Sequence, residues 1–211
     1  MKWVLGIDDA NRSEIIGSQW LAGVLMPKDK LNELPKLKGL NDSKLMTRKK
    51  RFEIYDWIKA NARFYTVPIT PERISLGLNL NLLEADAVSE IVKWATYTAN
   101  LSEIYIDNWE RNEVNFWKRM AHLGFCLNPF DFKWIIEHDA DKKYPIVMLA
   151  SVVAKCESDL EKDRMKNKYG DFGSGNVTDP KTKEFILNNP HAPIIKRSYK
   201  TYQRWLTEAK K

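Results

Sequence analysis

Cysteine is scarce in this chain of 211 residues, and long apolar runs are missing from it. The two cysteines, Cys126 and Cys156, lie thirty residues apart, and so few cysteines suit a reducing compartment better than a disulfide scaffold. No stretch reaches the roughly 18 apolar residues that a membrane-spanning helix needs. Residues 1–8 are too short an apolar segment, and too soon acidic, for a secretory signal peptide. We therefore expect a cytoplasmic protein that does not act at a membrane.

Charge is unevenly distributed along the chain. Lys and Arg total 34 against 28 for Asp and Glu, which gives a net charge of +6. Basic residues concentrate in segments 44–51, 181–183 and 196–211. A positive surface around an acidic pocket suits a polyanion that is held by its backbone. The alternative is that these are ordinary solvated residues that keep the protein soluble.

Apolar runs and capping residues predict a mixed α/β fold. Thr47 is placed to cap a helix that extends through residue 60, and Thr70 followed by Pro71 is placed to cap another. A long helix then ends at Gly170, a residue type common just beyond helix ends. Short apolar segments bounded by polar residues predict five strands, at residues 3–7, 19–26, 63–69, 103–107 and 132–138.

The order of these elements predicts a single mixed sheet. Two antiparallel strands, a helix and a third strand precede an alternation of strands and helices, which favours a five-stranded sheet flanked by helices. No repeat or clean linker divides the chain, but the residues after 170 are rich in Gly, Asn and Pro. We therefore predict a main domain at residues 1–170 that carries the active site. A small C-terminal appendage of loops and a helix at residues 171–211 would pack on it and contact substrate.

Four aspartates stand where short apolar runs give out: Asp8 and Asp9, then Asp107, then Asp141. If those runs are neighbouring strands, the acids converge at one edge of the sheet. Like charges at close range disfavour ionisation, and Mg²⁺ removes that cost because it accepts carboxylate ligands. The pattern indicates metal-assisted phosphoryl chemistry, with two ions about 3.5–4 Å apart. The alternative for each residue is an aspartate that only caps a turn.

Asp8 and Asp9 share that site only under a geometric condition. Neighbours on a strand point to opposite faces of the sheet, so both reach one site only if the strand ends or bulges there. Asn11, which tolerates the conformations of turns, makes such an end plausible in the sequence.

Five segments, in order along the chain, are similar to the motifs of one family. They read GIDDANRS at residues 6–13, LNDSK at 40–44, HDADKKYP at 138–145, ASVVAK at 150–155, and YGDFGSG followed by DP at 169–180. Together they resemble ribonuclease HII of the archaeal type, and the similarity runs from end to end.

The resemblance implies a ribonuclease H-like fold and an endonuclease that uses Mg²⁺ or Mn²⁺. Such an enzyme hydrolyses the RNA strand of RNA–DNA hybrids, or of duplex DNA that contains ribonucleotides, and leaves 5′-phosphate and 3′-hydroxyl ends. The family's acidic quartet of catalytic metal ligands corresponds to Asp8, Asp9, Asp107 and Asp141, although the family usually has Glu where Asp9 stands. We expect a monomer.

The resemblance also implies substrate contacts outside the quartet. Ser43 and Lys44 would hold a substrate phosphate, a hydroxyl donor beside a point charge, and Ser151 would contact another. His138 is a candidate accessory residue for handling substrate or product. The alternatives are a generic surface lysine at position 44 and a structural or rim histidine at position 138.

The substrate-recognition segments depart from the family pattern. Asn11 and Ser13 replace the glycines that flank Arg12, where the family's main chain approaches the ribose 2′-hydroxyl that distinguishes RNA from DNA. Asn176 replaces a tyrosine that packs against the sugar at the RNA–DNA junction, and Ser158 replaces an arginine. We therefore expect an altered preference for single embedded ribonucleotides.

Two competing hypotheses remain. A binding protein that keeps the fold and has weak or no turnover would explain the altered recognition segments, while the four retained acids argue against it. Another nuclease of the same broad fold, such as a resolvase, would leave the LNDSK and GSG segments without an explanation.

Overall fold

Five strands form one mixed sheet in the part of the chain that the computed structural model describes, residues 1–31 and 46–209. The strands are β1 (Trp3–Ala10), β2 (Gln19–Pro27), β3 (Arg63–Ile69), β4 (Leu101–Asp107) and β5 (Lys133–Glu137). The helices of these residues are α1 (Arg48–Asn61), α2 (Pro71–Ser75), α3 (Leu80–Thr98), α4 (Glu113–His122), α5 (Ala140–Lys143), α6 (Pro145–Tyr169), α7 (Pro180–Asn188) and α8 (Lys200–Glu208).

The strand order across the sheet is β3-β2-β1-β4-β5. The first three strands of the chain pair antiparallel, and β1, β4 and β5 run parallel to one another. Ile7 is paired with Ile106, so the residues that follow them, Asp8 and Asp107, come to the same level at the carboxyl ends of two parallel strands. The predicted five-stranded sheet flanked by helices is therefore confirmed.

Helices cover both faces of the sheet, and alternate residues of β1 pack against different ones. Val4 belongs to an apolar cluster that includes α6 and α1, whereas Leu5 and Ile7 belong to a second cluster built on α3. Gly6 lets α6 approach closely, because a Cβ at this position would lie 2.4 Å from the carbonyl oxygen of Ile146. We call the two sides of the sheet the α6 face and the α3 face.

The predicted helix ends are present in the structure. The side chains of Thr47 and Thr70 accept hydrogen bonds from the main-chain N–H groups of Lys50 and Arg73, each at 3.3 Å. Gly170 follows α6 with φ +87°, a conformation that favours glycine.

Two expectations about strand ends were wrong. β1 continues through Asp8 and Asp9 to Ala10, because β2 pairs with it over its whole length even though pairing with β4 stops at Ile7. Asp141 does not follow directly on a strand but lies in the first turn of α5.

The C-terminal residues 171–209 pack against the loop that follows β1. Ile15 and Ile16 share an apolar cluster with residues of α7 and α8. Main-chain hydrogen bonds join Ile15 to Gly175 and to Lys196, both at 2.9 Å. The division at residue 170 stays a prediction. None of the described helices is both long enough and apolar enough to cross a bilayer.

Candidate active site

Three carboxylates converge on the α6 face where the parallel strands end. Asp8 of β1, Asp107 of β4 and Asp141 of α5 each offer one oxygen, and these oxygens all lie within 4.8 Å of one another. Asp139, with φ +55°, turns the chain after β5 so that α5 lies against this edge of the sheet. Residues far apart in the sequence thus meet because parallel strands end on the same side.

Burial and mutual repulsion make this cluster electrostatically unfavourable. Desolvation, followed by the neighbouring charges of Asp9 and Asp107, raises the pKa of Asp8 well above its ordinary value. Burial likewise raises the pKa of Asp107, although its carboxylate accepts the Ala140 N–H at 3.2 Å. A cation at this position would offset the repulsion.

The donor set fits a hard divalent cation. Asp141 is 5% exposed, and its Oδ1 is buried without a hydrogen-bond partner among the described residues. A buried carboxylate oxygen in that state is costly unless something outside the protein binds it. Three clustered carboxylates supply the oxygen ligands that Mg²⁺ and Mn²⁺ accept. The three residues Asp8, Asp107 and Asp141 would hold such an ion.

Asp8 is held from behind by two donors. The main-chain N–H of Asp9 donates to its Oδ1 at 2.7 Å, and the Ser151 hydroxyl also hydrogen-bonds to its carboxylate. Ser151 lies on α6 and is 1% exposed. Its predicted contact with a substrate phosphate stays a prediction, since the structure places its side chain on Asp8.

Asp9 points to the α3 face, as the alternation along an uninterrupted strand requires. Its carboxylate is not one of the three that converge, and its Oδ2 accepts a hydrogen bond from Gln19 Nε2 at 3.0 Å. Burial raises the pKa of Asp9, while the Gln19 hydrogen bond and the nearby charges of Arg12 and Lys196 lower it. Its role as a metal ligand stays a prediction.

The Arg12 side chain is anchored on α3. Its Nε donates to Glu84 Oε1 at 2.6 Å, and its Nη2 donates to Asn81 Oδ1 at 2.8 Å and to Glu84 Oε2 at 3.4 Å. Gln19 Nε2 donates to the same Glu84 carboxylate at 2.5 Å. Glu84 is completely buried, and its desolvation raises its pKa to about 7.

Asn11 occupies the left-handed region, with φ +66°, in which asparagine is tolerated better than most residues. Its Nδ2 donates to the carbonyl oxygens of Ser18 at 2.7 Å and Ile16 at 3.0 Å. The buried Lys196 Nζ donates to the Asn11 carbonyl oxygen, and the Tyr199 hydroxyl donates to that of Arg12 at 2.5 Å. We call residues 11–18, between β1 and β2, the recognition loop. Lys196 and Tyr199 of the C-terminal segment therefore hold this loop by hydrogen bonds to its main chain.

The remaining predicted residues lie in four separate parts of the chain. Ser13 is exposed in the recognition loop, and His138 is exposed in the turn before α5. Asn176 follows Gly175, the residue bonded to Ile15, and its Oδ1 accepts from the Thr178 N–H and hydroxyl, both at 3.0 Å. Ser43 and Lys44 lie outside the described residues, so their phosphate contacts stay predictions.

Comparisons with known proteins agree with this geometry. The family model for ribonuclease HII matches residues 5–202. A ribonuclease HII from Methanosphaera stadtmanae is 35% identical over 95% of this chain and 93% of its own. This chain belongs to the ribonuclease HII family.

Solved structures agree with the sequence match. The crystal structure of ribonuclease H2 from Pyrococcus horikoshii OT3 superposes with a TM-score of 0.86 at 28% identity, covering 99% of each chain. Bst-RNase HIII in complex with Mn²⁺ superposes with a TM-score of 0.81 at 14% identity, covering 99% of this chain and 70% of that one. The second similarity shows the fold alone. As a ribonuclease HII, the chain is an RNase H endoribonuclease, and its family acts on RNA–DNA hybrids.

Sequence reasoning missed the polar residues buried behind the site. Gln19 and Glu84 are completely buried, and so is Lys196. Glu84 did carry a signal: it stands beside Leu83 within the apolar stripe of α3, where an acid that faces the core requires a partner. Lys196 follows two isoleucines, and nothing in that pattern distinguishes a buried lysine from a solvated one.

Proposed function

We propose that this ribonuclease HII hydrolyses the RNA strand of RNA–DNA hybrids with the help of divalent cations held by Asp8, Asp107 and Asp141. The observation that supports this proposal is the meeting of the three carboxylates within 4.8 Å at the ends of parallel strands. Hydrolysis would leave 5′-phosphate and 3′-hydroxyl ends. The binding partner is an RNA–DNA hybrid or duplex DNA that contains ribonucleotides.

The cofactor we propose is Mg²⁺ or Mn²⁺. The buried Oδ1 of Asp141 and the all-oxygen donor set support a hard cation, and a structure of the same fold is described in complex with Mn²⁺. When bound, such ions lower the pKa of water and stabilise charge on phosphate oxygens. Ser151 and the Asp9 N–H keep the Asp8 carboxylate oriented. We propose that Asp9 completes the acidic set through its other oxygen, Oδ1, while Gln19 holds Oδ2.

Substrate recognition would use the loop after β1. Asn11 and Arg12 are held in place, and Ser13 is exposed beside them. A polar pocket next to this loop is lined by residues that include Asn11, Lys155 and Ser158. The pocket also includes Ala10, which lies on the α6 face of β1 two residues after Asp8. The charge of Lys155 in its lining suits a polyanionic backbone.

We propose a weakened preference for single embedded ribonucleotides. Asn11 keeps the backbone conformation expected of a glycine, with φ +66°, which supports a preserved loop. Asn176 places an amide where the family has an aromatic ring, and this amide is engaged by Thr178. An amide in a local turn cannot stack on a sugar as a ring does. Recognition of hybrids through the backbone would therefore suffer less than recognition of one ribose.

Cleavage assays with Asp8→Asn test the catalytic proposal. Wild-type protein is expected to cut an all-RNA hybrid in Mg²⁺ or Mn²⁺, and Asp8→Asn is expected to lose that activity by about 10²–10³-fold. The matched control is Asp86→Asn, which alters an acid of α3 that is paired with Arg73 of α2. This variant is expected to cut normally. Wild-type binding to the hybrid without cleavage in either metal would support the binding-protein alternative instead.

The specificity proposal needs a second substrate in the same assay. A duplex with one ribonucleotide is compared with the all-RNA hybrid, and the ratio of their kcat/KM values is measured for wild type and for Asn176→Tyr. We expect the tyrosine to raise the relative rate on the single ribonucleotide. A strong preference for that substrate in the wild-type protein would refute the proposal.

A further inference from the structure

A continuous chain of hydrogen bonds runs behind the recognition loop on the α3 face. Gln19 Nε2 donates both to Asp9 Oδ2 at 3.0 Å and to Glu84 Oε1 at 2.5 Å. The other side of the Glu84 carboxylate receives the Arg12 guanidinium. Glu84 therefore connects Arg12 of the recognition loop with Asp9 of the predicted acidic set.

Packing alone does not explain an acid at this position. Glu84 is 0% exposed and lies on the side of α3 that buries Leu83 and Ala87 in the apolar cluster. Buried ion pairs add little to stability compared with well-packed apolar residues, because both charges must be desolvated. Burial also raises the Glu84 pKa to about 7, because desolvation disfavours the charged carboxylate.

Glu84 leaves one edge of the Arg12 guanidinium available. Nε and Nη2 are engaged by Glu84 and Asn81, whereas Nη1 makes no hydrogen bond to any residue of the described part of the chain. The Arg12 side chain is 39% exposed. A guanidinium fixed along one side presents the remaining donors in a defined direction, which suits a phosphate or ribose oxygen.

We propose that Glu84 is a positioning residue that fixes the Arg12 guanidinium for the nucleic-acid backbone and, through Gln19, orients the Asp9 carboxylate. The proposal rests on the proposed function, because it takes Arg12 as a substrate contact and Asp9 as a member of the acidic set. It assigns different tasks to the two ends of this series of hydrogen bonds: substrate binding at Arg12 and turnover at Asp9.

The first experiment measures binding without turnover. All variants carry Asp8→Asn and bind a fluorescent RNA–DNA hybrid in EDTA. Glu84→Gln is expected to weaken binding about ten-fold, and Arg12→Ala by a similar factor, but Glu84→Gln added to Arg12→Ala is expected to change nothing further. The control Glu90→Gln, on the same helix and bonded to Tyr65, is expected to bind normally. An undiminished effect of Glu84→Gln in the Arg12→Ala background would refute the positioning role.

The second experiment uses steady-state kinetics of the active protein to separate the contribution of Arg12 from that of Asp9. Glu84→Gln is expected to raise KM, whereas Gln19→Met is expected to lower kcat with KM nearly unchanged. Equal changes in KM and kcat for the two variants would overturn the division of tasks. If Glu84→Gln does not fold, Asn81→Ala removes one support of Arg12 from a partly exposed position and is expected to weaken binding about three-fold. Unchanged binding in that variant would contradict the proposal.

Failure of this inference is distinguishable from failure of the proposed function. A wild-type protein that cuts the hybrid while Glu84→Gln binds it normally refutes the positioning role and leaves the nuclease assignment standing. A wild-type protein that cuts no hybrid refutes the assignment, and the binding cycle in EDTA still reports whether Glu84 acts through Arg12.

Discussion

The two faces of β1 carry adjacent aspartates in opposite circumstances. On the α6 face, Asp8 meets Asp107 and Asp141, and one oxygen of this group has no partner among the described residues. On the α3 face, Asp9 is bonded to Gln19, which shares Glu84 with a guanidinium. The negative charge on the α6 face therefore calls for a cation from outside the protein, whereas on the α3 face Arg12 supplies a positive charge to Glu84.

This difference follows from the two-residue period of a strand. Asp8 and Asp9 are consecutive, so the same backbone directs one carboxylate to the α6 face and the other to the α3 face. On the α3 face, the carboxylates of Asp9 and Glu84 already have an amide and a guanidinium as partners, which fixes their orientation. On the α6 face, the clustered carboxylates repel one another, which favours the binding of a metal ion. The cluster on the α6 face therefore suits ion binding, and the network on the α3 face suits the positioning of Asp9 and Arg12.

The largest contrast is expected in activity. Asp107→Asn removes a charge from the cluster and is expected to lower kcat/KM by about 10²–10³-fold. Glu84→Gln, on the other face, is expected to lower it only about ten-fold. Initial rates on an all-RNA hybrid across a range of substrate concentrations measure both. Equal losses would erase the distinction between the faces.

Stability of the metal-free protein is expected to change in opposite directions on the two faces. The pKa of Asp8 is raised in the folded state, so the unfolded chain releases this proton first as pH rises. The fold then loses stability from the unfolded pKa up to the folded pKa, and the full cost is present above that. Asp8→Asn is therefore expected to raise the free energy of unfolding at pH 8 by about 1–3 kcal/mol.

Glu84→Ala provides the other half of that measurement. It leaves Arg12 and Gln19 without a shared acceptor, and we expect it to lower the free energy of unfolding by about 1–3 kcal/mol. Urea denaturation in EDTA measures both variants. A loss of stability in Asp8→Asn would show that the acidic cluster is not strained in the absence of metal.

Two glycines of neighbouring strands test how closely each face is packed. A Cβ on Gly6 would meet the main chain of α6, whereas a Cβ on Gly23 would meet the Ile91 side chain of α3, at 2.3 Å. Both Gly6→Ala and Gly23→Ala are expected to cost about 1–3 kcal/mol of stability. We expect only Gly6→Ala to lower kcat as well, because α6 carries Ser151 to Asp8. Denaturation and cleavage assays on the same preparations check this.

The most gradual change expected is a dependence of stability on pH. Burial lowers the pKa of Lys196 to about 7, below its value in the unfolded chain. Between these two values the unfolded state binds more protons, so stability is expected to rise with pH, by at most about 1.4 kcal/mol per pH unit. Lys196→Met should flatten this rise between pH 7 and 9. Urea midpoints that shift equally with pH in both proteins would exclude Lys196 as the cause.

Much of the fold could be predicted from local patterns. Apolar runs located all five strands, and Thr47 and Thr70 marked helix starts that the structure shows. Local patterns did not show that β1 would continue past Asp8, because that length depends on pairing with β2. They also did not show that Asp141 lies on α5, because a left-handed turn at Asp139 inserts a helix there.

By itself, the sequence determined which residues could bind a cation or a phosphate, and its ordered motifs determined the family. The tertiary structure decided which of these residues meet. Parallel register brings Asp8 level with Asp107, and strand alternation sends Asp9 to Gln19 and Glu84. The reason is physical: donor chemistry belongs to a side chain, whereas burial and partnership depend on residues that are remote in the chain and become neighbours only after folding.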